Sequence, residues 1–407
     1  MLSHHVDPSV HWARPPVTSP RYTDRELFDC GTLLKLRMRG SSAKERKRNI
    51  VARASLAVLV GWVPLLVLAT YQSTTLDQPG LDSFFPDFAV SCRSLIAAPL
   101  LVLAEWTCIP HLGAIALHFR KSGIVAQADD DRFESAWYST LRLRESTTAD
   151  IAIILTAYAL IAVLISAAPM SAYPAWHVFG PIEPLFYSPA GWWHALISLP
   201  LLFALLLSWV WRLFLWVRFL FLMSRLPLRL LPAHPDRTAG LRFVAYSVQS
   251  FALVAFSLGV IAAGSAAKRV YQGVPFESLA MTVLGLVAFV LFVFSGPLFI
   301  FLSHLLRAWK KGTLQYSALA GKVGRQLEDK WFRSGRIVSE AALNAQDFSA
   351  TTDLYQVASN VYEVRLIPFS AASLGILVAM TVAPFFGVAL MFVPIQVIVR
   401  EIATLLI

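Results

Sequence analysis

Glu105 is the residue whose position asks most for an explanation. It follows Arg93 by twelve residues within an apolar run, which at ~1.5 Å per residue places it about 18 Å along a helix. In a chain of this composition that depth is close to the middle of a bilayer. A carboxyl group there needs a donor from another helix, a water-filled cavity or a proton of its own, and intramembrane acids of this kind bind ions or relay protons. Cys108 and His111 follow at three-residue intervals, a spacing able to gather metal ligands on one side of a helix. Pro110 disturbs that geometry and no second cluster accompanies it, so neither a metal nor a cofactor is expected. Arg212 and Arg218 stand among Trp209, Trp211 and Trp216. They are expected to snorkel to the inner interface and contact anions or lipid headgroups, with the indoles in the aromatic belt. His234, Asp236 and Arg237 lie together in a Pro-flanked connection that suits a gate or docking loop. The blander reading makes Asp236 a helix N-cap. Asp129, Asp130 and Asp131 resemble a cation cluster but precede Phe133, Trp137 and Leu141 at helical spacing, so they are read as the acidic start of a helix.

The elements that position these residues follow from composition. The 407 residues are 57% hydrophobic and 15% charged, with mean hydropathy +0.60, against about 25% charged residues in an ordinary soluble domain. The apolar residues are gathered into blocks of the length a ~30 Å hydrocarbon layer requires. Every backbone amide must find a partner within its segment in lipid, so the blocks are helices. They run over residues 50–70, 93–118, 150–170, 193–223, 243–267 and 276–306, with a last block from Ile367. The expectation is an all-α polytopic bundle of about seven spans. It divides into a basic tail with an interfacial helix (1–49), six spans (50–306), a helical loop (307–366), and a final span with an interfacial or re-entrant helix (367–407). The first block begins too late, and is too long, for a cleavable signal peptide, so it is read as the first anchor.

Basic residues alternate between connections. Arg37, Arg39, Lys44, Arg46, Lys47 and Arg48 precede the first block, whereas Asp77, Asp82 and Asp87 follow it. Arg120, Lys121, Arg142 and Arg144 return, the next connection has none, and Arg225, Arg229, Arg237 and Arg242 come after that. Positive residues mark the cytoplasmic side, which puts the N-terminus inside; Lys268 and Arg269 are the exception. The net charge of +10 is thereby assigned to topology and anionic headgroups, and nucleic acid is excluded as a partner. The partners expected are the bilayer itself and either a second copy or another protein.

Within residues 307–366, Tyr316, Ala320, Val323, Leu327 and Trp331 recur at helical spacing, as do Leu354, Val357, Val361 and Val364, predicting two amphipathic helices. Leu27, Cys30, Leu34 and Met38 form a similar stripe, expected at the interface. Ala255, Gly259, Ala263 and Ala267 recur every four residues, a face for close helix approach within one chain or between two. After residue 367, Pro384, Gly387 and Pro394 leave two readings. In one, a span ends near Pro394 and is followed by a surface helix with Arg400 and Glu401; in the other, residues 383–387 form a hairpin.

The run Trp-Val-Trp-Arg-Leu at 209–213, Phe-Leu-Trp-Val-Arg-Phe at 214–219 and Leu-Pro-Ala-His-Pro-Asp-Arg-Thr-Ala-Gly-Leu at 231–241 resembles a family of bacterial multi-pass inner-membrane proteins of uncharacterised function. The stretches Asp-Phe-Ser-Ala-Thr-Thr-Asp-Leu at 347–354 and Tyr-Glu-Val-Arg at 362–365 are similar to it as well, with Ser208 standing where the family pattern has a basic residue. The resemblance implies bacterial origin and a shared membrane fold, and supplies no activity. Three functions follow as expectations. The first is a channel-like or transport-related protein with a polar path at Glu105. The second is a scaffold or sensor that binds a partner through its inner helices. The third is an enzyme acting on lipids or phosphates through His234, Asp236 and Arg237.

Overall fold

The computed structural model describes residues 27–28, 43–167, 173–179, 186–331 and 347–392. Among these described residues, seven helical segments are long and apolar enough to cross a membrane: Lys44–Thr75, Phe88–Lys121, Thr147–Ala167, Pro189–Ser224, Arg242–Tyr271, Ala280–Trp331 and Ala371–Phe392. They form an all-α bundle. Chain direction alternates between them, so one end of the bundle gathers the basic connections and the other the acidic ones.

The first span is broken into α1 (Ala43–Gly61) and α2 (Val63–Thr75). Pro64 lacks the amide that would bond the Val60 carbonyl, so that carbonyl is free for another donor. Trp193 Nε1 donates to it at 3.1 Å, and Ser198 Oγ donates to the neighbouring Gly61 carbonyl at 2.7 Å. The second and fourth spans carry the same signature. A π-helical stretch, Cys92–Ala97, leads into α3 (Ala98–Lys121), and another, His194–Ser198, leads into a later long helix. Pro99 and Pro200 lie two residues beyond these stretches. The wider turn lets a carbonyl that faces proline reach the next amide along.

On the basic side, α4 (Asp130–Arg144) precedes the third span, α5 (Thr147–Ala167). The fourth span is α6 (Leu199–Ser224) and the fifth is α7 (Arg242–Ser250) with α8 (Ala252–Tyr271). The sixth begins as α9 (Ala280–Ser295) and passes through a 3₁₀ segment at Pro297 into α10 (Leu302–Trp331). α11 (Asp347–Tyr362) packs on α10, and α12 (Ala371–Phe392) is the seventh span. On the acidic side, Val178–Phe179 pairs antiparallel with Phe186–Tyr187.

Several expectations are resolved here. The stripe of Ala255, Gly259, Ala263 and Ala267 packs on α12 of the same chain: a Cβ at Gly259 would lie 2.3 Å from the Thr381 carbonyl oxygen. α12 runs unbroken through Pro384, so residues 383–387 make no hairpin. The surface helix with Arg400 and Glu401 lies outside the described residues. The sixth span and the first amphipathic helix are not separate elements, since α10 runs from Leu302 to Trp331 in one piece. Its stripe of Tyr316, Ala320, Val323, Leu327 and Trp331 is half-buried, as the periodicity predicts. On α11 the inward face holds Thr351, Leu354, Ala358 and Val361, while Val357 is exposed.

Of the tail stripe, Cys30, Leu34 and Met38 lie outside the described residues. Leu27 is fully buried in the core, and Phe28 meets Trp216 edge-on with ring centroids 5.5 Å apart. Trp209 and Trp216 are buried in the same core instead of standing in an interfacial belt. The reason is local: α4 lays Phe133 and Trp137 against Phe219, so aromatic side chains, not headgroups, surround this end of α6.

Candidate functional site

Three spans meet at Glu105. Its helix, α3, is flanked by α1, which carries Arg53, and by α6, which carries Arg212. Arg53 Nη1 donates to Glu105 Oε2 at 2.8 Å and Nη2 to Oε1 at 3.2 Å, while Arg212 Nη2 donates to Oε1 at 2.6 Å. Glu105 is 4% exposed and Arg212 1%. Trp209, three residues before Arg212 on the same face of α6, places its ring 4.8 Å from the guanidinium carbon. Its Nε1 donates to the Leu101 carbonyl at 3.0 Å, one turn before Glu105. The indole thus shields the charged group from one side and fixes α6 against α3.

The arrangement combines a two-pronged pair with a second guanidinium on the same carboxylate. Arg gives fixed donor directions that Lys does not, which suits a site where an unpaired charge is costly. Of the three arrangements open to a carboxyl group at this depth, pairing with donors from other helices is the one present, from Arg53 and from Arg212. Arg212 was expected at the inner headgroups and is found inside the bundle, because its face of α6 is the one turned to α3. Arg218, six residues nearer the basic end, donates to the hydroxyls of Ser139 and Thr140 on α4. Arg53 was not singled out from the sequence, although a cation three residues inside an apolar block is a signal of this kind.

Cys108 is buried one turn beyond Glu105, whereas His111 is exposed and its Nδ1 lies 2.7 Å from the Thr107 carbonyl. The two therefore point apart, and among the described residues no three metal-type ligands are gathered. Asp130 begins α4 and pairs with Arg120 at 2.9 Å, and Asp129 pairs with Arg132 at 3.3 Å.

The connection holding His234, Asp236 and Arg237 is ordered around one carboxylate. Asp236 Oδ1 accepts the amides of Thr238 and Gly240 at 2.8 and 3.1 Å, and Oδ2 accepts that of Arg242 at 3.1 Å. Burial pushes its pKa up, but these amide donors outweigh burial and hold it below the usual carboxylate value. Such a cradle needs left-handed backbone at Arg237, Ala239 and Gly240. His234 Nδ1 lies 2.9 Å from Asp236 Oδ1. Arg237 pairs with Glu363 at 3.0 Å, and its carbonyl accepts the Arg365 amide at 2.7 Å. His234 and Asp236 therefore order the connection itself, and Arg237 fastens it to the residues just after α11.

A second polar cluster, unforeseen from the sequence, closes the acidic side. Asp87 Oδ2 takes Lys268 Nζ at 3.0 Å and Trp176 Nε1 at 3.3 Å. This pairing accounts for Lys268, which breaks the alternation of basic connections yet is neutralised where it stands. His177 Nε2 and His194 Nδ1 are 2.9 Å apart, and both rings are buried. Burial is the main reason the His177 imidazole is held down to about 4, with Asp87 opposing and Lys268 and Arg93 assisting. Burial also raises the Tyr187 phenol to about 12, with the neighbouring Tyr173 adding to the rise. Neighbouring residues cannot announce such a cluster, because Asp87, His177 and Lys268 come from three separate parts of the chain, two connections and the end of α8.

No family model, no curated protein and no solved structure matches the chain. Function therefore rests on the arrangement of its own side chains.

Proposed function

We propose that the chain is a scaffold or sensor of a bacterial inner membrane, with its N-terminus and basic connections in the cytoplasm, presenting α10 and α11 to a soluble partner. The carrying observation is the form of α10. Its 30 residues extend about 45 Å, beginning at the membrane edge and continuing as an amphipathic helix braced by α11. One side is given to the protein: Gly312 lets the Pro232 ring approach, since a Cβ there would lie 2.4 Å from it, and Val361 is buried alongside. The opposite side leaves Leu314 74% exposed near Lys310 and Arg325, and Leu319, seven residues past Gly312 and so at the flank of the packed side, is 48% exposed near Lys322. Apolar anchors within a basic surface suit an acidic amphipathic segment.

Transport through Glu105 is placed second. A carboxylate whose two oxygens accept three guanidinium hydrogen bonds, at 4% exposure, has less to offer a passing ion than one facing water. It has the form of a tie between helices. The enzyme reading is weaker still, because the carboxylate of Asp236 is occupied by backbone amides.

The test is a photoreactive residue at Leu314 in the full-length protein in its membrane, with Leu284 on α9 as the lipid-facing control. A discrete cross-linked protein at Leu314 and none at Leu284 is expected. Cross-links to lipid alone at both positions would remove the scaffold reading.

A further inference from the structure

Where α6 ends and α10 begins, the basic side holds a cleft of ≈ 940 Å³. Its polar wall comes from Arg132 of α4, Arg225 just beyond α6, and Arg307 and Lys311 of α10. Among the described residues no aspartate or glutamate lines it. Arg132 leans on Asp129 at 3.3 Å with its side chain 69% exposed. Arg225, Arg307 and Lys311 have no carboxylate within ion-pair distance among the described residues. Cations converging on one concavity repel one another, and a cleft with low-dielectric walls strengthens the field they make together.

Two of these groups are held in place. The Arg225 guanidinium lies over the Phe221 ring, 4.8 Å from its centroid. Arg307 Nε donates to the Ser303 carbonyl at 3.2 Å, which leaves its terminal nitrogens for another acceptor. The apolar wall is formed by Leu226, Leu228, Ile300 and Ala308. All of this stands at the level where the apolar helices give way to charged sequence, which is where headgroups lie.

We propose that this cleft binds a phosphate group, with Arg225, Arg307 and Lys311 as its ligands. A phosphate monoester or diester presents acceptor oxygens to guanidinium forks and neutralises the converging charge. The volume is larger than a bare phosphate fills, and the apolar wall fits the glycerol and first methylenes of a phospholipid. This site does not depend on the partner reading: Arg225 and Arg307 take no part in that surface and the ligand differs, although Lys311 borders both.

Delipidated full-length protein in neutral detergent is titrated with phosphatidylglycerol or phosphatidylcholine and the adducts are counted by native mass spectrometry. Inorganic phosphate is added separately while thermal unfolding is followed. A lipid ligand predicts phosphatidylglycerol bound about tenfold more tightly than phosphatidylcholine, with that preference lost in the Arg225→Gln/Arg307→Gln/Lys311→Gln variant and kept in Lys322→Gln/Arg325→Gln. A soluble ligand predicts instead that inorganic phosphate, but not chloride at equal ionic strength, raises the unfolding temperature of the wild type and not of the triple variant. Should the triple variant unfold, Arg307→Gln alone is expected to weaken the same ligand about threefold. Equal binding of both lipids together with no response to phosphate overturns the proposal, as does equal loss in both multiple variants.

Discussion

Arg53 sets both terminal nitrogens of its guanidinium on the two oxygens of Glu105, at 2.8 and 3.2 Å, linking the first span to the second. Arg212 reaches the same carboxylate from the fourth. The two arginines are not equivalent: the Arg53 side chain is 14% exposed and that of Arg212 1%. Arg212→Leu should therefore cost about 3–5 kcal/mol, the range for removing one partner of a buried pair. Arg53→Leu should cost less, about 1–3 kcal/mol, because water can reach its end of the pair. Thermal unfolding in detergent gives the order; a larger loss for Arg53→Leu would contradict it.

The acidic side should be sensitive to acid. His177 is held at about 4 against an ordinary value of 6.5, so the folded protein binds fewer protons than the unfolded chain between those limits. Stability is then complete above about pH 6.5 and falls as the pH drops towards 4, by up to about 3 kcal/mol. Unfolding temperature measured across that window tests this, and His177→Asn should flatten the dependence. An unchanged slope in the variant would assign the effect elsewhere.

Gly259→Ala is predicted to be destabilising although alanine favours helices. The new methyl would lie 2.3 Å from a backbone oxygen at Thr381, which cannot move without α12. A loss of about 1–3 kcal/mol is expected, readable as a lower unfolding temperature. Gly285→Ala in α9, where nothing lies within 4 Å, should be neutral or slightly stabilising.

The proposed orientation is open to chemical labelling. In a chain freed of Cys30, Cys92 and Cys108, Thr75→Cys should react with an impermeant maleimide from outside intact cells. Lys322→Cys should react only after permeabilisation. Both positions are exposed, so reaction of both from the same side would reverse the proposed arrangement.

The spans were legible because a lipid layer demands unbroken apolar runs, and the runs coincide with the helices to within a few residues at most ends. Glu105 was legible as an anomaly for the same reason. Its partners were not, because which face of α1 or α6 turns to α3 depends on packing between helices distant in sequence. Arg212 sits near enough to the basic end to be read as snorkelling, and only the contact with Glu105 decides otherwise. The continuity of α10 was hidden by a change in composition at Arg307, which alters the solvent around a helix without ending it. The π stretches before Pro99 and Pro200 were not legible either, because a proline marks where a helix must adjust without fixing the form of the adjustment.

The central claim is that Glu105 and Arg212 act as one tie across the bundle, and a double-mutant cycle measures it. Glu105→Gln and Arg212→Gln should each lower stability by about 3–5 kcal/mol, and the double variant should fall short of their sum by at least about 1 kcal/mol. Additive losses, or a Glu105→Gln protein as stable as the wild type, would contradict the account.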